Sequence, residues 1–437
     1  MADPQWRELR RRFTRNLKLR ALDYALEEDR KLYAPVHEGA HDPVARLHRT
    51  IEDNDDQSAQ LVAGFRGTGK TTEFSRLEAA LKESGYLVAR IDLDEHIDHH
   101  SPVDVREFLL VLASALGERL LDPHLLGPET GAENNFSHYA RTFLPELPTD
   151  QATVRNNAGE VIQTVEWKRA FREDLDFRKA VREAIGGRIP LLESVVRRWH
   201  ERVLAALVQK HGHARLVVIV DSLEHLRGTY DTAQKVHESV RELFLTHGRR
   251  LTLPKTHMVF SVPAFMALYA DNVAAEFAGS LVAWSACHVR RREGASLEPD
   301  EASIESLVTL VERRVDWARF LTDRAALEAL ILASGGSIRD LLKMLAEALA
   351  AVPESESPKV GADVAIAAVQ RSFATLWADQ KDVLRGIASC RGFDGLESKH
   401  REQVAAFLDA GVVLCYLNGD FWYDVHPLLK PRLDAVP

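Results

Sequence analysis

Short runs of mostly apolar residues recur along the middle of the chain, and segments with helical periodicity separate them. An apolar run of strand length is typical of a strand that is buried on both faces, as in a parallel sheet. Alternation of such strands with helices predicts an α/β fold with about five parallel strands. The predicted strands occupy residues 61–63, 86–91, 216–220, 258–263 and 281–289, and a few polar residues such as Arg90 and Ser261 lie within them.

Helical patterns predict what lies before and between the strands. Residues 1–30 predict one amphipathic helix with a basic first half. We interpret the basic side of this helix as the solvated face of a helix that docks on the rest of the protein. The alternative is an arm that binds nucleic acid or a partner. Ser101 and Pro102 predict the start of another helix. Residues 122–200, which include a predicted hairpin at 153–165, are interpreted as a mostly helical insertion.

The last third of the chain is predicted to be helical until a final hairpin. Gly335 and Gly336 precede Ser337, which can cap a helix. A linker follows at 352–361. Beyond it, three short helices and a hairpin around an Asn418-Gly419 turn together predict a winged helix. The three helices are expected at 362–376, 378–390 and 397–409.

Residues 64–71 fit the phosphate-loop (P-loop) pattern G-x-x-x-x-G-K-[ST] at every fixed position, between a predicted strand and a predicted helix. The glycines let backbone N–H groups turn toward phosphate oxygens, and the helix N-terminus adds its dipole. Lys70 is expected to reach the β- and γ-phosphates, and Thr71 to hold Mg²⁺. A glycine-rich turn with a chance lysine is the structural alternative. The predicted nucleotide-binding residues are Gly64, Gly67, Thr68, Gly69, Lys70, Thr71 and Thr72.

Polar residues at the ends of other strands complete the predicted catalytic set. The run 216–220 ends in Asp221, which is expected to hold Mg²⁺ as a Walker B carboxylate. Glu224 is expected to activate the attacking water, with Asp92 or Asp94 as substitutes. Ser261 emerges at a further strand end as a candidate sensor of the γ-phosphate, although an ordinary strand terminus fits equally well.

Arg339 lies in the first turn of the helix that Ser337 is predicted to cap. A cation is unfavourable at this end of the helix dipole, which favours a role in binding an external phosphate. The glycine pair before it suggests a flexible hinge through which Arg339 couples nucleotide to a lid. A surface arginine without such a role is the alternative.

Composition narrows the class of protein. The chain has 437 residues, 46% hydrophobic and 28% charged, as expected for a globular protein of about two to four domains. A net charge of −9 gives no overall attraction to nucleic acid or anionic membranes. Cys287, Cys390 and Cys415 are scattered and odd in number, which favours reduced thiols in a cytoplasmic protein. No apolar run reaches membrane-spanning length.

The two Walker motifs, Ser261, the Gly-Gly-x-x-Arg sequence that ends in Arg339 and the winged helix together resemble AAA+ ATPases of the origin-recognition type and the related STAND ATPases. The likeness covers most of residues 33–437 apart from the insertion. Residues 64–77 look like uncharacterised bacterial ATPases of this group, several linked to phage defence. The resemblance implies ATP and Mg²⁺ as cofactors, and adenine packing on residues 33–36. It also implies a helical arm (1–50), a P-loop ATPase core (51–290), a helical lid (291–352) and a winged-helix domain (360–437).

Two departures from the AAA+ pattern bear on activity. Such enzymes usually have Glu directly after the Walker B Asp, and Ser222 stands there in this chain. Glu224 is the substitute, so hydrolysis is expected to be slow. The usual arginine finger is missing from 265–279, which leaves weak candidates at 249–250 and 290–292. The absence of an Asn-Lys-x-Asp guanine signature favours ATP over GTP.

Three functions compete. The first is a switch ATPase, a homo-oligomer whose assembly changes with nucleotide and which acts through a separate effector protein. The second is a DNA-bound ATPase resembling initiators or transposition regulators. From residue 360 onward, eight Lys and Arg against ten Asp and Glu give a net charge of −2, which favours a protein contact over DNA. A small-molecule kinase is disfavoured, because a lid and a winged helix add no acceptor pocket.

Overall fold

A computed structural model of the chain describes most of the sequence. The predicted turn at 156–159, Gly419 of the predicted turn at 418–419, much of the linker 352–361, and Arg66 of the P-loop lie outside the described residues. The described residues are 4–37, 42–65, 67–128, 135–148, 154–155, 161–163, 166–229, 231–277, 281–293, 296–352, 359–373, 376–418 and 420–434.

Helices predominate over strands in the described residues. The strands are β1 (Ser58–Gly64), β2 (Leu87–Asp92), β3 (Val154–Arg155), β4 (Val161–Gln163), β5 (Leu216–Asp221), β6 (Thr256–Val262), β7 (Leu281–Trp284), β8 (Arg290–Glu293), β9 (Ser296–Pro299), β10 (Val413–Asn418) and β11 (Asp420–Val425). The α-helices are α1 (Pro4–Asn16), α2 (Glu27–Leu32), α3 (Pro43–Glu52), α4 (Lys70–Glu83), α5 (Val105–Arg119), α6 (Phe136–Phe143), α7 (Glu166–Glu173), α8 (Leu175–Ile185), α9 (Ile189–His211), α10 (Ala233–Leu245), α11 (Gly248–Leu251), α12 (Ala270–Phe277), α13 (Glu301–Glu312), α14 (Arg324–Ser334), α15 (Ile338–Ala351), α16 (Ala362–Arg371), α17 (Ala378–Cys390), α18 (Arg401–Ala410) and α19 (Lys430–Asp434).

A five-stranded sheet with the order β2-β5-β6-β1-β7 confirms the predicted α/β fold. β2 pairs with β5, β5 with β6 and β6 with β1, each in parallel. β5 and β6 are buried along their whole length, which explains why apolar residues predominate in both. The predicted strand at 281–289 is shorter in the structure, where β7 ends at Trp284. Neighbouring parallel strands end at one edge of a sheet, the usual place for ligands in open α/β folds.

The chain divides into two compact units that cut across the predicted regions. Unit 1 contains Met1–Arg46, Gly64–Arg76 and Ala283–Pro437, and unit 2 contains Leu47–Ala63 and Leu77–Val282. The P-loop therefore groups with the N-terminal and C-terminal helices, whereas the Walker B strand belongs to unit 2.

The predicted insertion in unit 2 is mostly helical. The rings of Phe136 on α6 and Trp199 on α9 lie 5.1 Å apart, edge to face. Buried Glu107 on α5 pairs with Arg178 on α8 at 2.8 Å. The predicted end of the insertion at residue 200 falls inside α9. The predicted cap at Ser101 is wrong, because α5 begins at Val105 and the Asp104 side chain accepts the capping hydrogen bond.

The N-terminal helix of unit 1 packs on the lid helices. Trp6, Phe13 and Leu17 are buried in one hydrophobic cluster with side chains of α13, α14 and α15. The prediction of one continuous helix over residues 1–30 is wrong, since α1 ends at Asn16 and α2 begins at Glu27. The basic side of α1 is largely exposed, as expected for the solvated face of a docked helix.

The C-terminal part of unit 1 contains the predicted helices and hairpin. β10 pairs with β11 in antiparallel register from Val413 opposite Val425 to Asn418 opposite Asp420. α16 is shorter than predicted, and its Ala365 and Val369 join the cluster of the lid helices. A second hairpin, β8–β9, was not predicted. No helix among the described residues is both long enough and apolar enough to cross a membrane.

Candidate functional site

The P-loop in unit 1 has the backbone that its glycines permit. Gly67 and Gly69 have φ values of 88° and 84°, in the left-handed region that other residues rarely adopt. α4 begins at Lys70, so Lys70 and Thr71 lie in its first turn. The Lys70 side chain lies across Gly64, where an added Cβ would overlap with Lys70 Cε and Cδ. The described part of the loop is thus a glycine turn that leads directly into a helix N-terminus, where backbone N–H groups and the helix dipole favour an anion.

The lid helix α15 contacts the P-loop within unit 1. The backbone N–H of Arg339 donates to the carbonyl oxygen of Gly67 at 3.2 Å. A Cβ added to Gly67 would lie 2.7 Å from Ser337 Oγ and 3.0 Å from Arg339 Cβ. Ser337 caps α15 by accepting a hydrogen bond from the N–H of Asp340, as the sequence predicted. The structure therefore brings Arg339 beside Gly67, which sequence separation alone could not show.

The glycine pair before α15 is tightly packed. Gly335 and Gly336 have φ values of 59° and 80°. A Cβ on Gly336 would overlap with the carbonyl group of Cys287, and Tyr416 Oη donates to the Gly335 carbonyl oxygen at 2.8 Å. Close backbone packing explains both glycines, so the structure gives no support to the predicted flexible hinge.

Asp340 fixes the start of the same lid helix. It accepts a hydrogen bond from Ser337 Oγ at 2.8 Å and lies 3.4 Å from His426 Nε2. Burial acts to raise the pKa of Asp340, but His426 and Ser337 outweigh it and hold that pKa well below its usual range. The carboxylate therefore stays charged and tethers the first turn of α15 to the segment after β11.

A buried polar network lies on the first turns of α4. Tyr33 Oη donates to the Glu73 carboxylate at 3.0 Å, and Arg76 pairs with both Glu73 and Asp42. Burial raises the pKa of Glu73, although Arg76 and Tyr33 oppose this shift. Tyr33, expected to lie near adenine, is itself buried in this network. No local pattern in the sequence predicts this network, because Tyr33 and Glu73 are 40 residues apart.

Thr72, a predicted phosphate ligand, has a structural partner. Its Oγ1 accepts a hydrogen bond from the backbone N–H of Leu22 at 2.9 Å. Ser75, one turn further along α4, accepts likewise from Tyr24 at 2.8 Å. The two hydroxyls anchor the segment between α1 and α2 against α4, a role that the P-loop pattern does not contain.

The Walker B residues lie at the end of β5 in unit 2. Asp221 is the last residue of the strand and is buried. Ser222 has a φ of 73°, which is strained for a residue with a side chain. Its N–H donates to Asp221 Oδ1 at 2.9 Å. This turn leads into a short 3-10 helix, Leu223–His225, that carries Glu224.

Glu224 and Ser261 meet in unit 2. Ser261 is fully buried near the end of β6, and its hydroxyl donates to the Glu224 carboxylate. The predicted sensor is thus a direct partner of the predicted base. A hydrogen bond from a hydroxyl fixes the orientation of the carboxylate that accepts it.

Asp92 and Asp94, the substitute candidates for the catalytic base, make other hydrogen bonds and contacts. Asp92 pairs in register with Asp221 across β2 and β5, and its side chain accepts from the N–H of Asp94 at 3.0 Å. Asp94 lies 2.7 Å from His225 Nδ1 and 2.9 Å from His99 Nε2. Asp94 is therefore engaged with two histidines.

Two of the arginine-finger candidates, Arg250 and Arg291, pair with acidic residues within their own units. Arg250 pairs with Glu193 at 2.7 Å in unit 2. Arg291 pairs with buried Asp300 at 2.7 Å in unit 1. These ion pairs account for both arginines as structural residues.

The comparisons with known proteins returned structures but no family. No protein-family model and no curated protein matches the chain. The ORC2 protein of Aeropyrum pernix, solved in ADPNP–ADP complexes, is similar over 92% of this chain and 95% of its own, at 14% identity and a TM-score of 0.38. Its ADP form is similar over 94% and 99%, at 12% identity and a TM-score of 0.41. Similarity at this level does not bear on function.

Proposed function

We propose that this chain is an AAA+-like switch ATPase that binds Mg-ATP, hydrolyses it slowly and thereby controls assembly with a protein partner. The observation that carries the proposal is the hydrogen bond from the Arg339 N–H to the Gly67 carbonyl oxygen, at 3.2 Å. It fixes the first turn of the lid helix on the loop whose pattern is that of a phosphate binder. A lid in contact with the nucleotide loop is what a nucleotide-dependent switch requires.

The residues have distinct proposed roles. The N–H groups of the P-loop and Lys70 bind the phosphates, and Thr71 and Asp221 hold Mg²⁺. Glu224, oriented by Ser261, positions the attacking water. The Mg²⁺ ion supplies charge neutralisation when bound, and these side chains supply its position. Slow hydrolysis follows from the Ser at position 222, where AAA+ enzymes usually have a Glu.

Arg339 is proposed to distinguish ATP from ADP. Among the residues that the structure describes, its guanidinium has no ion-pair partner. A cation beside the P-loop favours the triphosphate, because only ATP carries the charge of the γ-phosphate. A ligand shifts a conformational equilibrium only through such a difference in affinity between states.

Titration of Arg339→Ala with Mg-ATP and Mg-ADP by calorimetry tests the proposal. Loss of a charge-assisted hydrogen bond costs about 1.5–3 kcal/mol, so ATP should bind roughly 10- to 150-fold more weakly, with a much smaller effect on ADP. Lys343→Ala is the matched control, since Lys343 is a cation on the same helix that pairs with Asp340 at 3.2 Å. Equal losses for ATP and ADP, or no difference from Lys343→Ala, would contradict the lid switch.

The biological role of the switch, its assembly state and its cellular location are also proposals. Residues 64–77 support a place among bacterial ATPases linked to phage defence, with homo-oligomeric assembly and a separately encoded effector. Three free cysteines support a cytoplasmic location. Sedimentation of the wild type with ATP and with ADP tests nucleotide-dependent assembly, and identical profiles would argue against it.

The alternative is a DNA-bound ATPase, and one observation favours it. The exposed side of α1 carries Arg7, Arg11, Arg12 and Arg15, which form a basic strip on a folded helix. The negative charge of residues 360–437 argues the other way for the winged helix. A DNA titration at several salt concentrations decides between the two, since phosphate contacts give an affinity that falls steeply with salt.

A further inference from the structure

A cluster of two histidines and one aspartate lies in unit 2, outside the residues assigned to nucleotide. His225 Nδ1 is 2.7 Å from Asp94 Oδ1, and His99 Nε2 is 2.9 Å from the same oxygen. The two imidazole rings are 5.7 Å apart and almost perpendicular. One potential ligand atom from each residue lies within 4.8 Å of the others. The three residues are partly exposed as a whole, whereas both ring nitrogens of His99 are buried.

Neighbouring strands bring the three residues together. Asp94 lies in the 3-10 turn after β2, and His225 in the 3-10 turn after β5. These strands pair in register up to Asp92 and Asp221, so both turns begin at one edge of the sheet. This edge is where open α/β sheets usually bind ligands.

Backbone hydrogen bonds hold the third residue in place. The carbonyl oxygen of His99 accepts from the N–H groups of Arg227 and Gly228, at 3.3 and 3.1 Å. The next carbonyl, of His100, accepts from Thr232 Oγ1 at 2.8 Å. The loop carrying His99 is therefore tied to the segment that follows His225, and the cluster does not depend on side-chain contacts alone.

We propose that Asp94, His99 and His225 form a binding site for one divalent transition-metal ion. Two imidazole nitrogens and one carboxylate oxygen suit Zn²⁺, Fe²⁺, Co²⁺ or Ni²⁺ better than Mg²⁺, which prefers oxygen ligands. Three protein ligands leave at least one coordination position for water or for an oxygen of another molecule. This site is separate from the Mg²⁺ ligands proposed for nucleotide.

The site has a consequence for the Walker B turn. His225 directly follows Glu224 in the same three-residue 3-10 helix. A metal bound by His225 would anchor that turn to the loops after β2. The ion would therefore restrain the backbone that carries Glu224.

The simpler explanation is that two neutral imidazoles donate hydrogen bonds to Asp94 and merely clamp the loops. The two explanations differ in whether the cluster takes up an ion. Co²⁺ reports this directly, because its visible absorption depends on the number and geometry of its ligands. The titration is done on metal-free protein without nucleotide, so its outcome is independent of the ATPase proposal.

The experiment titrates wild type, His99→Ala and His225→Ala with Co²⁺ and then competes with Zn²⁺. We expect the wild type to bind one Co²⁺ per chain and to release it when Zn²⁺ is added. In each of the two alanine variants, the affinity for Co²⁺ should fall by about 100-fold or become too weak to measure. His124→Ala, which changes an exposed histidine outside the cluster, should bind Co²⁺ like the wild type.

Asp94→Asn tests the proposal even if the alanine variants fail to fold, because asparagine keeps the shape of the aspartate side chain. Circular dichroism establishes that it is folded, and its Co²⁺ affinity should fall while its fold is retained. The proposal is overturned if the wild type shows no Co²⁺ absorption beyond that of the free ion. It is equally overturned if His99→Ala and His225→Ala keep the wild-type affinity.

Discussion

The contact between Ser261 and Glu224 gives a sharp prediction for Ser261→Ala. The substitution removes one buried oxygen from β6 and takes the hydroxyl donor away from the Glu224 carboxylate. Hydrogen bonds to charged groups contribute about 1.5–3 kcal/mol. Glu224 is only partly buried, so water can replace part of the lost bond and the lower end applies. We therefore expect the free energy of unfolding to fall by about 1.5 kcal/mol.

The same change should slow hydrolysis. If loss of the hydrogen bond destabilises the transition state for hydrolysis by the same roughly 1.5 kcal/mol, the single-turnover rate should fall roughly tenfold. Glu224→Gln should bind Mg-ATP normally but lose turnover, because an amide cannot act as a base. Adding Ser261→Ala to Glu224→Gln should then have little further effect on the rate, since the base is already absent.

Ser58→Ala is the matched control. Ser58 begins β1, and its hydroxyl lies 2.9 Å from His257 Nδ1, at the opposite end of the strands from Ser261. It should lower stability without changing turnover. Urea unfolding and single-turnover hydrolysis on all variants form a double-mutant cycle. A coupling energy between Ser261 and Glu224 below about 0.5 kcal/mol, together with wild-type turnover in Glu224→Gln, would refute the assignment.

Two further predictions concern the P-loop and a buried histidine. Lys70→Ala should abolish Mg-ATP binding in calorimetry and leave the fold intact by circular dichroism; unchanged affinity would place the nucleotide elsewhere. Burial lowers the pKa of His200 to about 4 from 6.5, so the folded state resists its protonation. This contribution to stability is present above pH 6.5 and is lost as the pH falls toward 4, by up to about 3 kcal/mol. His200→Gln should flatten urea-derived stability across that window, and an unchanged pH slope would contradict the shift.

Local patterns in the sequence predicted much of the fold. The apolar residues that predominate in β5 and β6 identify strands buried on both faces, because such burial favours apolar side chains at successive positions. The P-loop glycines specify a left-handed backbone that few other residues adopt. Ser337 specifies a cap, since its hydroxyl can satisfy an N–H group of the helix that follows. Each of these signals lies within a few residues of the structure that it determines.

Only the tertiary structure decided which of these parts meet. Nothing near Ser261 in the chain indicates Glu224, and nothing near Gly67 indicates Arg339. The end of α1 at Asn16 was also missed, although an amphipathic pattern continues beyond it. Periodicity reports which face of a segment is apolar, whereas the partner of that face depends on chain topology. Contacts between distant residues form because burying their side chains together offsets the entropy of closing long loops, and a local pattern carries no information about that balance.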